Sequence, residues 1–149
     1  MKSNTTTIEV AAPERYAYLD LTEDLQRAIK NSGVTDGAAI AFCAHTTCAL
    51  LINEWEDGAL ADFRRQVTDM VPHEGVYYAH DDFEVRTQNM HENERANGHA
   101  HVKAMLLSAT SHAIPVVAGE PGLGAWQRLI FFEMDEPKDR TITFHVFGG

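Results

Sequence analysis

The sequence predicts an α+β fold with mainly antiparallel strands and about three helices. Three observations support this. Segments rich in β-branched residues lie near both ends of the chain, segments with apolar residues every three or four positions lie between them, and short turn signals separate the last strands. The 149 residues are enough to bury a core, and no linker-like stretch divides them. We therefore predict a single domain over residues 1–149.

The N-terminal part is predicted to form two strands and a helix. Thr5–Val10 is rich in threonine and β-branched residues, which is typical of a strand, and Tyr16–Asp20 is a second candidate strand. Thr22 is the predicted N-cap of the first helix because its hydroxyl suits that position. Gly33 is predicted to end this helix, since glycine readily adopts the left-handed conformation of a C-terminal cap.

The middle of the chain is predicted to contain two buried strands followed by a helix. Gly37–Ala44 and Cys48–Asn53 are short apolar runs. Residues 56–70 repeat apolar positions at helical spacing, and Pro72 ends the pattern. These apolar positions are Leu60, Phe63, Val67 and Met70.

A polar segment then separates this helix from the third one. His73–Gly98 is rich in histidine and aromatic residues and has no periodicity, so we expect a long functional loop with at most short ordered pieces. The third helix is predicted to begin near His101. Its apolar positions are Val102, Met105, Leu106 and Ala109.

The C-terminal part is predicted to form three strands joined by short turns, which favours an antiparallel sheet. They are Ala113–Ala118, Trp126–Met134 and Arg140–Phe147. The last strand alternates between apolar and polar residues, as a half-buried strand does. Leu129–Phe132 is apolar on both faces, so either a second sheet or a neighbouring subunit is expected to cover it.

Composition narrows the classes of function. The net charge is -10, with 22 acidic against 12 basic residues, which argues against a nucleic-acid partner. No apolar run is long enough to span a bilayer, and residues 1–7 do not form a secretory signal. We therefore expect a cytoplasmic protein without a membrane partner. Cys43 and Cys48 do not match a redox or zinc spacing and are expected to be buried apolar residues.

Histidine is abundant, with eight residues, and it is both a common metal ligand and the usual acid or base near neutral pH. His45 closes a buried strand, where it either lines a pocket or is satisfied by backbone groups. His99 and His101 point to one side if the segment is extended. At the entry of a helix they lie beside N–H groups that attract anions, with Lys103 close by. The alternative is an ordinary surface pair.

Two further places carry candidate functional side chains. Asn53 and Glu54 end a buried strand, where a carboxylate can act as a base or orient a histidine. Asp57 is expected to favour the start of the next helix electrostatically. Trp126 and Gln127 follow a glycine turn, where the indole either belongs to the core or stacks on a flat ligand that Gln127 hydrogen-bonds.

Five segments in order resemble the secondary thiamine-phosphate synthase family, also called YjbQ-like. The resemblance covers the chain roughly from Gly37 to its end. The stretch from Asp82 to Asn97 is longer than in the family pattern. The matching segments are His45–Glu54, Tyr78–Asp81, Gly98–Ala104, Ile114–Gly119 and Gly122–Gln127.

The resemblance implies a two-sheet α+β sandwich that assembles as a homotrimer, with a pocket for a metal and an anion. Carried over to this chain, the metal ligands are His45, His80 and His101, and Asn53 and Glu54 lie beside them. The implied activity joins a pyrimidine pyrophosphate to a thiazole phosphate. Three imidazoles favour zinc or another transition metal over magnesium.

The resulting expectation is a metal-assisted enzyme acting on a small phosphorylated substrate, possessing thiamine-phosphate synthase activity at least as a secondary reaction. Glu54 and Asn53 are the expected catalytic residues. Lys103, Trp126 and Gln127 are the expected ligand-binding residues. The alternatives are a non-catalytic protein that binds a metal or a phosphorylated metabolite in the same pocket, and a structural trimer whose interface the histidines stabilise.

Overall fold

The computed structural model describes residues 1–149 and contains eight strands, three α-helices and one short 3₁₀ turn. The helices are α1 (Thr22–Ser32), α2 (Asp57–Met70) and α3 (Gly98–Leu107), and the 3₁₀ turn is Ala79–Asp81. The strands are β1 (Lys2–Ala11), β2 (Tyr18–Asp20), β3 (Asp36–Cys43), β4 (Cys48–Glu54), β5 (Ser111–Val117), β6 (Glu120–Pro121), β7 (Gln127–Glu133) and β8 (Asp139–Gly148).

The strands form two sheets in which every neighbouring pair is antiparallel. The larger sheet has the order β1-β8-β3-β5-β6, and the smaller has the order β2-β7-β4. The main core cluster joins both sheets and α1, with members such as Ala39, Leu50, Phe131 and Phe144. The predicted α+β fold with two antiparallel sheets and three helices is therefore confirmed.

The strand that is apolar on both faces, β7, is covered on both. Leu129 and Phe131 belong to the main core cluster. Phe132 packs in a second cluster with residues of α2 and α3, including Val67 and Ala100. From the sequence we expected either a second sheet or a neighbouring subunit to cover this strand. A second sheet covers one face, and helices of the same chain cover the other.

Two helix starts differ from the sequence prediction. The residue before α1 is Leu21, and Thr22 already belongs to the helix. Instead of capping, the Thr22 hydroxyl accepts a hydrogen bond from the Leu129 N–H at 3.0 Å, which ties α1 to β7. The third helix begins at Gly98, three residues before His101. Gly33 ends α1 in the left-handed conformation, with φ 66°, as predicted.

None of the three helices combines the length and the apolar character that crossing a membrane would need. Cys43 and Cys48 are both buried and free, as the sequence predicts.

Candidate functional site: a histidine cleft beside helix α3

The N-terminus of helix α3 is capped by the side chain of Asp81, which belongs to the preceding loop. One carboxylate oxygen of Asp81 accepts hydrogen bonds from the N–H groups of Asn97 and Gly98, at 2.9 and 2.8 Å. We expected a ligand anion at this helix N-terminus, because the first N–H groups of a helix lack partners inside it. The Asp81 carboxylate accepts hydrogen bonds from two N–H groups at this end instead. The position that we expected a ligand anion to fill is therefore filled by a side chain of the protein.

The two histidines of the His99-Ala-His101 segment point in different directions. Because both lie in α3, they are separated by about 200° around the helix axis. His99 is 1% exposed and faces the interior, where its Nδ1 lies 2.9 Å from the Lys103 Nζ. His101 faces the Ala79–Asp81 turn, and its ring centroid lies 4.3 Å from that of His80.

His80 and His101 line an open cleft of about 620 Å³, which we call the histidine cleft. No hydrophobic side chain contributes to its lining, so it is a site for a polar molecule. Its other lining residues are Thr46, Arg86, Gln88, Asn89, Glu94 and Asn97. An adjoining hollow is shared by His45, Thr46 and His101, so three predicted histidines surround the same region.

Arg86 organises the loop that forms the wall of the histidine cleft. Its guanidinium donates to the backbone oxygens of Gln88 and Asn89 at 3.1 and 2.8 Å. It also forms an ion pair with Glu94 at 3.0 Å, and both side chains are largely shielded from solvent. A further contact joins it to His80 Nε2 at 3.2 Å. Arg86 therefore fixes the long loop and one of the two facing imidazoles.

Two imidazoles of this region, His101 and His45, have a pKa below the ordinary value. Burial lowers the pKa of His101, and the neighbouring His80 lowers it further. Burial also lowers the pKa of His45, with a second contribution from the Arg140 guanidinium. A neutral imidazole can accept a proton from a bound molecule, which is what a general base requires.

The predicted three-histidine metal site is wrong. His45 Nε2 accepts a hydrogen bond from the Thr141 N–H at 2.8 Å, and His80 Nε2 accepts from Arg86. A neutral imidazole with one nitrogen accepting carries its proton on the other, so neither ring offers a free lone pair to an ion. No group of three or more histidine, cysteine or acidic side chains is placed to hold a metal ion.

The expected catalytic pair lies away from the histidines. Glu54 is the last residue of β4, whereas His45 precedes its first residue. The seven residues of this strand span roughly 20 Å at about 3.3 Å per residue. Glu54 shares a different cleft with Trp126 and Gln127. Asn53 and Glu54 both line a mostly apolar hollow with Leu51 and His112, so within one chain this pair lies apart from the three histidines of the predicted metal site.

Lys103, which we expected to bind an anion, lies inside the protein. It is 0% exposed, it forms no ion pair with a carboxylate, and its Nζ lies 5.3 Å from the centre of the Tyr16 ring. Burial lowers its pKa to about 8, and Arg15 contributes to the same shift. Its position on the second turn of α3 directs it to the interior, because it follows His99 by one helical turn.

The Lys103 ammonium predicts a pH dependence of stability. Its pKa is about 8 in the folded chain and near 10.5 in the unfolded chain, so between these values the unfolded chain binds more protons. The free energy of unfolding should then rise by about 1–2 kcal/mol from pH 8 to pH 9.5. Urea unfolding of the wild type and of Lys103→Met measures this, and equal slopes for both proteins would contradict it.

Several residues of the histidine cleft were not predicted from the sequence. Arg86 and Glu94 lie in the polar loop, where nothing in the sequence marks one charged residue above the others. Thr46 lies next to the predicted His45, and Asp81, which caps α3 beside the cleft, lies next to the predicted His80, so their positions in the sequence were available as a signal. The only sequence signal for Asn97 was its position immediately before α3.

The fold and the cleft together define a class of protein: a two-sheet α+β chain whose polar cleft lies between a long loop and the third helix. Residues 6–149 match the family described as UPF0047 protein YjbQ-like. This chain belongs to that family.

Relatives support the assignment over nearly the whole chain. A UPF0047 protein of Archaeoglobus fulgidus is 35% identical over 129 residues, which cover 87% of this chain and 90% of the relative. The UPF0047 protein YugU of Bacillus subtilis is 30% identical, covering 95% and 98%. A solved structure from Sulfolobus solfataricus, described as a YbjQ-like protein of unknown function, has a TM-score of 0.86 at 26% identity and covers 99% of both chains.

These relatives correct the expected activity. Their descriptions give a family without a reaction, and none names thiamine-phosphate synthase or a transferase. The implied thiamine-phosphate synthase activity and the implied metal-binding character are therefore both withdrawn. The part of the resemblance that is confirmed is membership of the YjbQ-like family.

Proposed function

We propose that the protein binds a small phosphorylated molecule in the histidine cleft and acts on it by acid–base catalysis. The observation that carries this proposal is the pair of imidazoles, His80 and His101, whose ring centres lie 4.3 Å apart in a cleft without hydrophobic lining. Two facing imidazoles can share the work of proton acceptor and proton donor.

The charges of the cleft favour an anionic ligand over a cationic one. Arg86 and Glu94 balance each other as an ion pair, while His101 can gain a proton and His80 can donate a hydrogen bond through its Nδ1. An arriving phosphate would favour the protonated form of His101, because the imidazolium and the phosphate form an ion pair. Hydroxyl and amide groups of Thr46, Asn97 and their neighbours supply further hydrogen-bond partners.

His101 is the better candidate for the general base. Its pKa is lowered by burial and by His80, so it is neutral at pH 7 and able to accept a proton. His80 is oriented by Arg86, whose guanidinium can only donate to its Nε2, and it therefore carries its proton on Nδ1. That arrangement suits His80 to donating a hydrogen bond to the ligand.

A non-catalytic binding protein is the alternative use of the same cleft. The observation that favours it is that His45 and His80 each accept a hydrogen bond from the protein through Nε2, so these nitrogens are not free to accept a proton from a ligand. A protein that only binds a phosphorylated metabolite needs His101 and the polar lining to hold the ligand, and it needs no residue to change its protonation during a reaction.

Substitution of His101 tests the proposal. Inorganic phosphate should bind the wild type more tightly at pH 6 than at pH 8, because the His101 imidazole is then more often protonated. His101→Asn should weaken this binding by about 10-fold or more, since a hydrogen bond to a charged group contributes about 1.5–3 kcal/mol. Calorimetry measures both effects, and His91→Asn, at an exposed histidine of the same loop, is the matched control.

Phosphorus NMR on a panel of phosphorylated metabolites separates the two uses of the cleft. An enzyme should produce a new resonance from at least one compound and lose about 10²–10⁴-fold in rate on His101→Asn. Binding without any new resonance would favour the non-catalytic alternative. Absence of phosphate binding at either pH, or equal loss in the His91→Asn control, would contradict the proposal for the cleft.

We also propose, from the resemblance, that the chain assembles as a homotrimer in the cytoplasm. The support for assembly is the exposure of Met105 and Leu106 on α3, at 69% and 60%, which is unusual for two adjacent apolar residues of a single helix. The support for the compartment is the pair of free cysteines. A solution mass equal to the 16.6 kDa of one chain would contradict the trimer.

A further inference from the structure

A second cleft lies at the far end of β4 and holds both tryptophans of the chain. It has a volume of about 650 Å³ and is lined by residues of α1, of the end of β4 and of the turn before β7. Trp126 is 75% exposed and Trp55 is 40% exposed, although indoles are usually covered. We call this site the tryptophan cleft.

The turn before β7 fixes the backbone on either side of Trp126. The Gln127 side-chain oxygen accepts a hydrogen bond from the Gly124 N–H at 2.8 Å, and the Gln127 N–H donates to the Gly124 oxygen at 2.9 Å. Trp126 lies inside this closed turn. The hydrogen-bonded turn therefore orders the backbone that carries the exposed indole, so no loop has to be ordered when a ligand contacts it.

The charged groups of the tryptophan cleft are mostly negative. Glu54 is exposed, and its carboxylate has no hydrogen-bond or ion-pair partner within the chain. Glu56 stays ionised because the N–H groups of Gly58 and Ala59 donate to its carboxylate and lower its pKa. The single guanidinium, that of Arg128, lies 3.5 Å from the Asp20 carboxylate. The whole chain, at -10, adds to the attraction for a cation.

We propose that the tryptophan cleft binds a small organic cation, whose ammonium or alkylammonium group packs against the indoles and is neutralised by Glu54. A cation over the face of an indole is attracted by the quadrupole of the ring, and tryptophan is the strongest of the aromatic residues in this respect. The free carboxylate supplies the opposite charge, and the volume accommodates a molecule larger than a metal ion. This site is separate from the histidine cleft, which lies beyond the other end of β4.

Tryptophan fluorescence reports directly on this cleft, because the chain contains two tryptophans and both line it. Choline is the probe, and 3,3-dimethylbutan-1-ol is its uncharged counterpart of nearly the same shape. We expect choline to change the emission in a saturable way. The neutral alcohol should bind at least about 5-fold more weakly, in line with about 1 kcal/mol for a partly exposed cation on an aromatic face.

Variants test whether Glu54 and Trp126 bind choline. Their binding is measured by calorimetry, because replacing Trp126 removes one of the two fluorescent indoles. Glu54→Gln should weaken choline binding several-fold, whereas Glu92→Gln, at an exposed carboxylate of the long loop, should leave it unchanged. Trp126→Phe should retain part of the affinity, and Trp126→Leu should lose it. Because both side chains are exposed, none of these variants is expected to unfold the protein.

Three results would overturn the inference: no saturable response to choline, equal binding of choline and the neutral alcohol, or an unchanged affinity in Glu54→Gln. Equal binding would identify a site for uncharged flat or branched molecules instead of cations. Phosphate binding in the Glu54→Gln protein should remain at the wild-type level. The outcome for this cleft is therefore independent of the outcome for the histidine cleft.

Discussion

Replacing Arg140 with alanine is expected to destabilise the fold by about 3–5 kcal/mol, because it leaves a buried carboxylate without its partner. Glu133 is 0% exposed and Arg140 is 4% exposed. Their side chains meet through two hydrogen bonds of 2.9 and 2.6 Å, which is the paired geometry that a guanidinium and a carboxylate favour. Arg140 also donates to the Thr47 hydroxyl at 3.0 Å, in the segment that carries His45.

Urea unfolding measures this loss, and the double variant Arg140→Met/Glu133→Leu is the control. Removing both charges together avoids the uncompensated carboxylate, so the double variant should be markedly more stable than Arg140→Ala alone. A change below about 1 kcal/mol in Arg140→Ala would show that the pair carries little of the local stability. Phosphate binding should also weaken in the single variant, since the β3–β4 connection that carries His45 and Thr46 loses the hydrogen bond from Arg140 to Thr47.

Substituting Gly98 with alanine is expected to destabilise the protein by about 1–3 kcal/mol and to open the histidine cleft. A Cβ atom at this position would lie 2.6 Å from the Tyr78 Cβ and 3.2 Å from the Asp81 carboxylate oxygen. The Ala79–Asp81 turn would therefore have to move away from α3. That movement separates His80 from His101 and weakens the cap that Asp81 places on the helix.

The sign of the change in stability distinguishes the predicted clash from the usual effect of alanine in a helix. Glycine to alanine in a helix normally stabilises it by up to about 1 kcal/mol, so a generic helix effect and the predicted clash have opposite signs. Gly149→Ala is the control, because a Cβ atom there meets no other atom within 4 Å. Thermal unfolding and phosphate titration of both variants suffice, and an unchanged or raised melting temperature for Gly98→Ala would refute the clash.

The fold was predictable from the sequence because hydrophobic periodicity reports which face of each element is buried. The strand β8 shows this well, since Ile142, Phe144 and Val146 alternate with more exposed residues as predicted. Helix starts were less predictable, because hydrogen bonds with distant residues decide them. Thr22 binds the β7 backbone instead of capping α1, and Asp81 caps α3 from seventeen residues upstream of Gly98.

The candidate site was predicted only in part, because sequence spacing does not define the direction of a side chain. The resemblance implied a metal site of His45, His80 and His101, and the structure places the ring centres of His80 and His101 4.3 Å apart without forming that site. His99 turns inward because its segment is helical instead of extended, and Lys103 follows it. The separation of Glu54 from the histidines comes from the length of β4 and the direction in which it runs. The role of Arg86 depends on the folded path of a loop that has no periodic pattern to interpret.

The central claim is that His80 and His101 together bind a phosphorylated molecule, and imidazole NMR tests it most directly. Long-range proton–nitrogen spectra at pH 7 resolve the ring nitrogens of each histidine with and without inorganic phosphate. On phosphate addition we predict a shift toward the imidazolium form at His101 and a changed Nδ1 resonance at His80, whose Nδ1–H donates to the phosphate, with His91 unchanged. Ring nitrogens at His80 and His101 that do not respond to phosphate, or that respond no more than His91, would contradict the claim.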